Sequence, residues 1–112
     1  MIWYDGRLFR PVETRGRSQT SEDTIFQYSQ KGDLLTGKYS GGDIEIGHIL
    51  GLVDEKGRLN FRYHHLTFEG HLMTGKCKSR PEVLSNGKIR LHERWQWTCG
   101  DFSKGSSLLE EI

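Results

Sequence analysis

The chain has 112 residues, with 16 Lys and Arg against 15 Asp and Glu and a formal net charge of +1. That length suits a single domain over 1–112. The balance of charge excludes a broadly basic nucleic-acid binder or an acidic tail, and no apolar run is long enough to cross a membrane.

The N-terminus, Met1-Ile2-Trp3-Tyr4-Asp5-Gly6-Arg7, has no basic segment leading into an apolar one, so a cytoplasmic protein is expected. Alanine is absent, whereas 14 residues are Gly and 12 are aromatic (3 Trp, 4 Tyr, 5 Phe). Losing the best helix former while gaining turn formers and rings predicts strands, with little or no helix. The first strand is expected over 6–12, followed by the polar stretch Glu13–Asp23, read as a mobile loop. Further strands are expected over 24–30, 34–40, 44–53, 58–67, 71–79, 88–98 and 105–111. Turn signals separate them, among them Lys31-Gly32-Asp33, Gly41-Gly42-Asp43, Asp54–Gly57, Glu69-Gly70, Ser85-Asn86-Gly87 and Cys99-Gly100-Asp101. The expected fold is all-β: an antiparallel meander closed into a barrel of about eight strands, large enough for a filled core or one small ligand.

The chain repeats itself. Phe26-Gln27-Tyr28 leads to Gly32-Asp33-Leu34-Leu35-Thr36-Gly37-Lys38, and Phe61-Arg62-Tyr63 leads to Gly70-His71-Leu72-Met73-Thr74-Gly75-Lys76. Two such hairpins around one barrel would place Gly37 and Gly75 where strands bend or pack closely.

Alternation assigns faces. Ile89, Leu91, Glu93, Trp95 and Trp97 share one side of their strand, and Arg90, His92, Arg94 and Gln96 the other. A slip of one residue would bury guanidiniums and expose indoles, which fixes the phase. Leu59, Phe61, Tyr63 and His65 form the inner set of another strand. Ile44–Val53 is apolar on both faces; its facing is undecided, and a partner subunit covering one side makes a homodimer the expected assembly.

The inner set supplies the candidate ligand-binding residues: Tyr28, Tyr39, Phe61, Tyr63, His65, Glu93, Trp95 and Trp97. The indoles serve equally as core filler or as a wall against something flat. Glu93 is costly inside unless it is paired, protonated or turned to a cavity, and tyrosine hydroxyls or His65 and His48 are its expected donors. No histidines and carboxylates stand at metal-ligand spacing, and Cys77 and Cys99 read as reduced thiols, so neither a metal nor another cofactor is expected. Between Arg58 and Arg94 stand eight basic residues against three acids. That stripe reads as a solvated face, nucleic acid being the less favoured partner because the best aromatics point away from it. The favoured function is binding of a small, partly apolar molecule without catalysis. Two alternatives stand: a small enzyme with an interior Glu/His/Tyr acid–base set, or an adaptor using the basic face.

Two resemblances add to this. Asp5-Gly6-Arg7-Leu8-Phe9-Arg10, Tyr39–Gly42, Gly47-His48-Ile49-Leu50-Gly51-Leu52-Val53-Asp54, Trp95–Thr98 and Ser103–Ser107 resemble a family of small bacterial proteins often labelled N-acetylglutamate synthase. No Arg/Gln-x-x-Gly-x-Gly/Ala turn before a helix is present to hold an acetyl-coenzyme A pyrophosphate, so that activity is not expected. More distantly, Gly32–Tyr39 resembles a hairpin of the avidins, and Trp95-Gln96-Trp97-Thr98-Cys99-Gly100 with Lys104–Leu108 resembles their Trp-Leu-Leu-Thr-Ser-Gly segment and last strand. This resemblance implies an avidin-like or calycin-like barrel with Trp95 on its ligand pocket. The other avidin tryptophans and the ureido-binding aspartate have no counterpart, so biotin is not implied.

Overall fold

The computed structural model describes residues 2–112. Its strands are β1 (Leu8–Arg15), β2 (Ile25–Lys31), β3 (Leu34–Gly41), β4 (Ile44–Val53), β5 (Leu59–Thr67), β6 (Leu72–Val83), β7 (Ile89–Trp97) and β8 (Lys104–Glu111). Each pairs antiparallel with the next, and β8 closes on β1, so order around the barrel equals order along the chain. No helix occurs among the described residues.

Two strands outrun the turn and alternation signals. β6 continues through Pro81, paired with Leu91, to Val83. β1 extends into the stretch expected as a loop, because a bulge between Pro11 and Glu13 re-phases it against β8 and lets Glu13, Thr14 and Arg15 join the ladder. The loop proper is 16–24. A second bulge, between Ile44 and Ile46, settles the facing of β4: Ile44, Gly47, Ile49 and Val53 point in, and Ile46, His48, Leu50 and Leu52 point out.

The interior is organised by rings facing glycines. Across the ladders, Tyr28 is opposite Gly37, Tyr39 opposite Gly47, Phe61 opposite Gly51, Tyr63 opposite Gly75 and Trp95 opposite Gly105. The fit leaves no room for a methyl group. A Cβ at Gly47 would lie 2.3 Å from Tyr39 Cζ, at Gly75 2.2 Å from Tyr63 Oη, and at Gly105 2.2 Å from Trp95 Cζ2. A barrel of this strand number is narrow inside, so a ring can lie along the wall only where the adjacent strand has no side chain. The repeated hairpin is this device twice over, with Tyr28 on Gly37 and Tyr63 on Gly75.

One barrel end is stoppered. Tyr4 is fully buried, packs on Phe9 and Tyr28, donates its hydroxyl to the Gly57 carbonyl at 2.5 Å and its amide to Gln30 Oε1 at 2.8 Å. Arg7 binds Glu111 at 3.0 Å and so ties this N-terminal segment to the last strand. The 16–24 loop and the β3–β4, β5–β6 and β7–β8 turns ring the opposite end, the mouth.

Gly47→Ala and Gly75→Ala should each cost about 1–3 kcal/mol, the usual cost of overpacking. In urea denaturation, Tyr63→Leu should return part of the loss in Gly75→Ala and none in Gly47→Ala.

Candidate functional site: an aromatic cavity inside the barrel

Below the mouth lies a cavity with ≈ 50 Å³ open to the centre of a water-sized sphere, several times the roughly 10–15 Å³ that one water needs. Ser18 and Thr20 of the 16–24 loop roof it. Phe26, Tyr39, Phe61, Tyr63, Trp95 and Trp97 wall it with rings, and Ile49, His65, Cys77, Glu93, Ser107 and Leu109 complete the lining. The rings brace one another edge to face: Trp97 meets Trp95 at 5.9 Å, Tyr63 at 5.8 Å and His65 at 5.7 Å between centroids.

Glu93 sits midway along the inward face of β7, between Leu91 and Trp95, and is buried. Its Oε2 accepts the Ser79 hydroxyl at 2.6 Å, and no Lys, Arg or His reaches it. Burial pushes its pKa from the ordinary 4.5 up to about 7, against the opposing pull of hydrogen bonds from Ser79 and Cys77. The donor is therefore a serine of the neighbouring strand, not the tyrosines and histidines expected from the sequence. Cys77 lies 3.8 Å from Ser79. Burial and the Glu93 charge push its thiol well up, which keeps it protonated and a poor nucleophile. On the other side Ser107, opposite Glu93 in the β7–β8 register, accepts the Trp95 indole N–H at 3.0 Å.

Nearer the mouth, the Tyr39 hydroxyl donates to His65 Nδ1 at 2.8 Å, and His65 Nε2 donates to Gln19 Oε1 at 2.7 Å. Both ring nitrogens are engaged, which fixes one neutral tautomer. Burial pushes the His65 pKa down to about 4, with a smaller push from His64. Gln19 belongs to the 16–24 loop, and two more bonds hold that loop down: Trp97 Nε1 to the Arg17 carbonyl at 3.0 Å, and Arg17 to Asp101 at 2.7 Å.

This interior completes the case that the hairpin and tryptophan motifs opened, and residues 2–112 match the avidin-like protein family. The chain belongs to that family. No curated protein and no solved structure matches it.

Of the residues singled out in this avidin-like chain, Tyr39 on β3, Phe61, Tyr63 and His65 on β5, and Glu93, Trp95 and Trp97 on β7 come together as cavity lining. Tyr28 stands apart. It is inward as expected, but it packs among Tyr4 and Phe9 on the stoppered side, and its buried hydroxyl has no partner among the described residues. His48 is on the outer face, its ring 5.5 Å from His64, and cannot reach Glu93. Phe26 follows the period-2 alternation of its strand; Ser79 and Ser107 carry no signal of their own, and Ser18, Gln19 and Thr20 belong to a stretch with no periodicity at all. The outer basic residues Arg62, Lys76, Lys78 and Arg94 are exposed, as expected. No cluster that could hold a metal occurs among the described residues.

Glu93 and His65 set opposite pH dependences. The raised Glu93 pKa contributes stability that is present below 4.5 and lost as pH rises through about 7. The depressed His65 pKa contributes stability that is present above 6.5 and lost as pH falls through about 4. Each slope is about 1.4 kcal/mol per pH unit. Urea denaturation from pH 4.5 to 6.5 should therefore find these two contributions cancelling in the native chain. Stability should rise with pH in Glu93→Gln and fall with pH in His65→Gln; parallel profiles in all three would contradict the assignment.

Proposed function

We propose that this avidin-like barrel is a binding protein that holds a small, flat, partly apolar molecule among Trp95, Trp97, Tyr39, Tyr63 and Phe61, with Glu93 as its polar anchor. The observation that carries the reading is the combination of one ring-walled cavity with one buried carboxyl that meets the Ser79 hydroxyl and the Cys77 thiol but no cationic group. Aromatic walls with a few convergent polar groups are what small-molecule sites are made of. Binding without catalysis is favoured because the groups that would do chemistry are committed elsewhere. The Cys77 thiol is held protonated, and His65 spends both nitrogens on Tyr39 and Gln19. A cytoplasmic location accords with Cys77 and Cys99 both being free.

Self-association belongs to the same proposal. The outer face of β4 carries Ile46, Leu50 and Leu52, and Leu34 of β3 lies opposite Leu52; Leu50 is 60% exposed. Exposed apolar side chains grouped on one strand face mark an association surface, and a homodimer covers them with a second copy of the chain.

A thermal-shift screen of small metabolites should find a ligand that raises the melting temperature and changes indole fluorescence. A ligand present at 100 times its Kd stabilises by about 2.7 kcal/mol. Trp97→Ala should remove that stabilisation; a ligand whose effect survives it binds elsewhere and defeats the cavity reading. An enzyme would instead turn its ligand over and lose turnover but not binding in Glu93→Gln. Light scattering should give a dimer that Leu50→Asp dissociates, and a strict monomer at high concentration would refute the association.

A further inference from the structure

We propose that the molecule taken by this cavity carries a planar cationic head of the amidinium or guanidinium type, its adjacent N–H groups on the Glu93 carboxylate and its body among the rings; this rests on the cavity reading above. The lining holds one carboxyl and neither Lys nor Arg, so nothing in it balances a bound anion. Glu93 spends Oε2 on Ser79, while Oε1 has no hydrogen-bond partner among the described residues. A second lone pair on Oε2 and both on Oε1 leave an acceptor edge that matches two parallel N–H donors. Tyr63, Trp95 and Trp97 line the same cavity, and aromatic rings attract cations. A planar, delocalised cation suits this place better than an ammonium, because it is weakly hydrated, stacks on rings and presents its donors as a fork. A neutral guest would leave the buried carboxyl either protonated or uncompensated.

The groups facing Glu93 make it the cavity's one switch near neutrality. Cys77 on β6, Tyr28 on β2, Tyr63 on β5 and the stopper Tyr4 are all held protonated by burial, and the Glu93 charge pushes each further the same way. Ser79 and Ser107, on the flanking strands, do not titrate. His65 stays neutral down to about 4. Between pH 6 and 8 only Glu93 changes charge within the cavity, so a cation gains its partner as pH passes about 7.

Benzamidine, benzamide and benzoate test this, since they share size and shape and differ in head-group charge. Titrated into the full chain at pH 8 and followed by indole fluorescence and calorimetry, benzamidine should bind at least about tenfold tighter than benzamide, and benzoate should not bind. Benzamidine affinity should drop about tenfold between pH 8 and pH 6, the proton linkage of one group titrating near 7. Glu93→Gln should abolish both the preference and the pH dependence while benzamide binding persists. Ser79→Ala keeps the charge but removes a hydrogen bond that stabilises it, and should move the pH midpoint upward. Benzamide or benzoate binding as tightly as benzamidine would overturn the cationic class and leave the cavity reading standing. No fluorescence or heat change with any of the three would overturn both.

Discussion

A ring laid against a glycine on the next strand is the contact around which this barrel is built. A closed sheet of eight strands has little space inside, and six of the cavity's lining residues are aromatic. Five of them lie directly across from a glycine that presents bare backbone: Tyr39 from Gly47, Phe61 from Gly51, Tyr63 and Trp97 from Gly75, and Trp95 from Gly105. The arrangement fixes the rotation of each ring, since a ring pressed on a glycine cannot turn without meeting a neighbouring side chain. It also explains how the interior can be both densely aromatic and incompletely filled: rings held to the wall leave the axis free.

The same closeness governs the polar groups. Water is largely excluded, so each buried polar atom is satisfied by a specific neighbour or changes its protonation. Glu93 takes both routes, accepting from Ser79 and holding its proton to near neutrality. His65 takes the first, and stays uncharged between Tyr39 and Gln19. Tyr28 takes neither, and its unpartnered hydroxyl marks a cost accepted for a ring that seals the stoppered side. Polarity is thus concentrated at a few positions of a mostly apolar interior.

The architecture is legible in the sequence because its signals are local and redundant. Turn glycines, period-2 alternation and missing alanine all point the same way. The inward facing of Glu93 follows from its own strand, since the opposite phase would bury Arg90 and Arg94. What is not legible is what depends on bulges and on loops. The bulge at Ile44/Ile46 decides which apolar face of β4 is inside, and apolar residues on both sides conceal it. The bulge at Pro11/Glu13 turns polar residues into strand, against their composition. Ser79 and Ser107 are small hydroxyls that become donor and acceptor only through register with Glu93 and contact with Trp95, which no single strand encodes. Parity alone groups Tyr28 with the ligand set, and parity gives the side of the sheet but not the height along the axis.

The stopper at Tyr4 gives the barrel the kinetics of a blind tube. With one end sealed by a fully buried tyrosine, a guest of the kind proposed would have to enter and leave by the same opening. That opening is crossed by the 16–24 loop, whose fastenings run to Trp97, His65 and Asp101. Trp97 and His65 are also cavity lining, so a guest pressing on them bears on the bolts of its own door. Under the binding reading, residence time in such a tube would be set by how often those fastenings release, and occupancy by what the interior offers. Changes to Arg17, Gln19 or Asp101 would therefore speed or slow exchange at nearly constant equilibrium affinity.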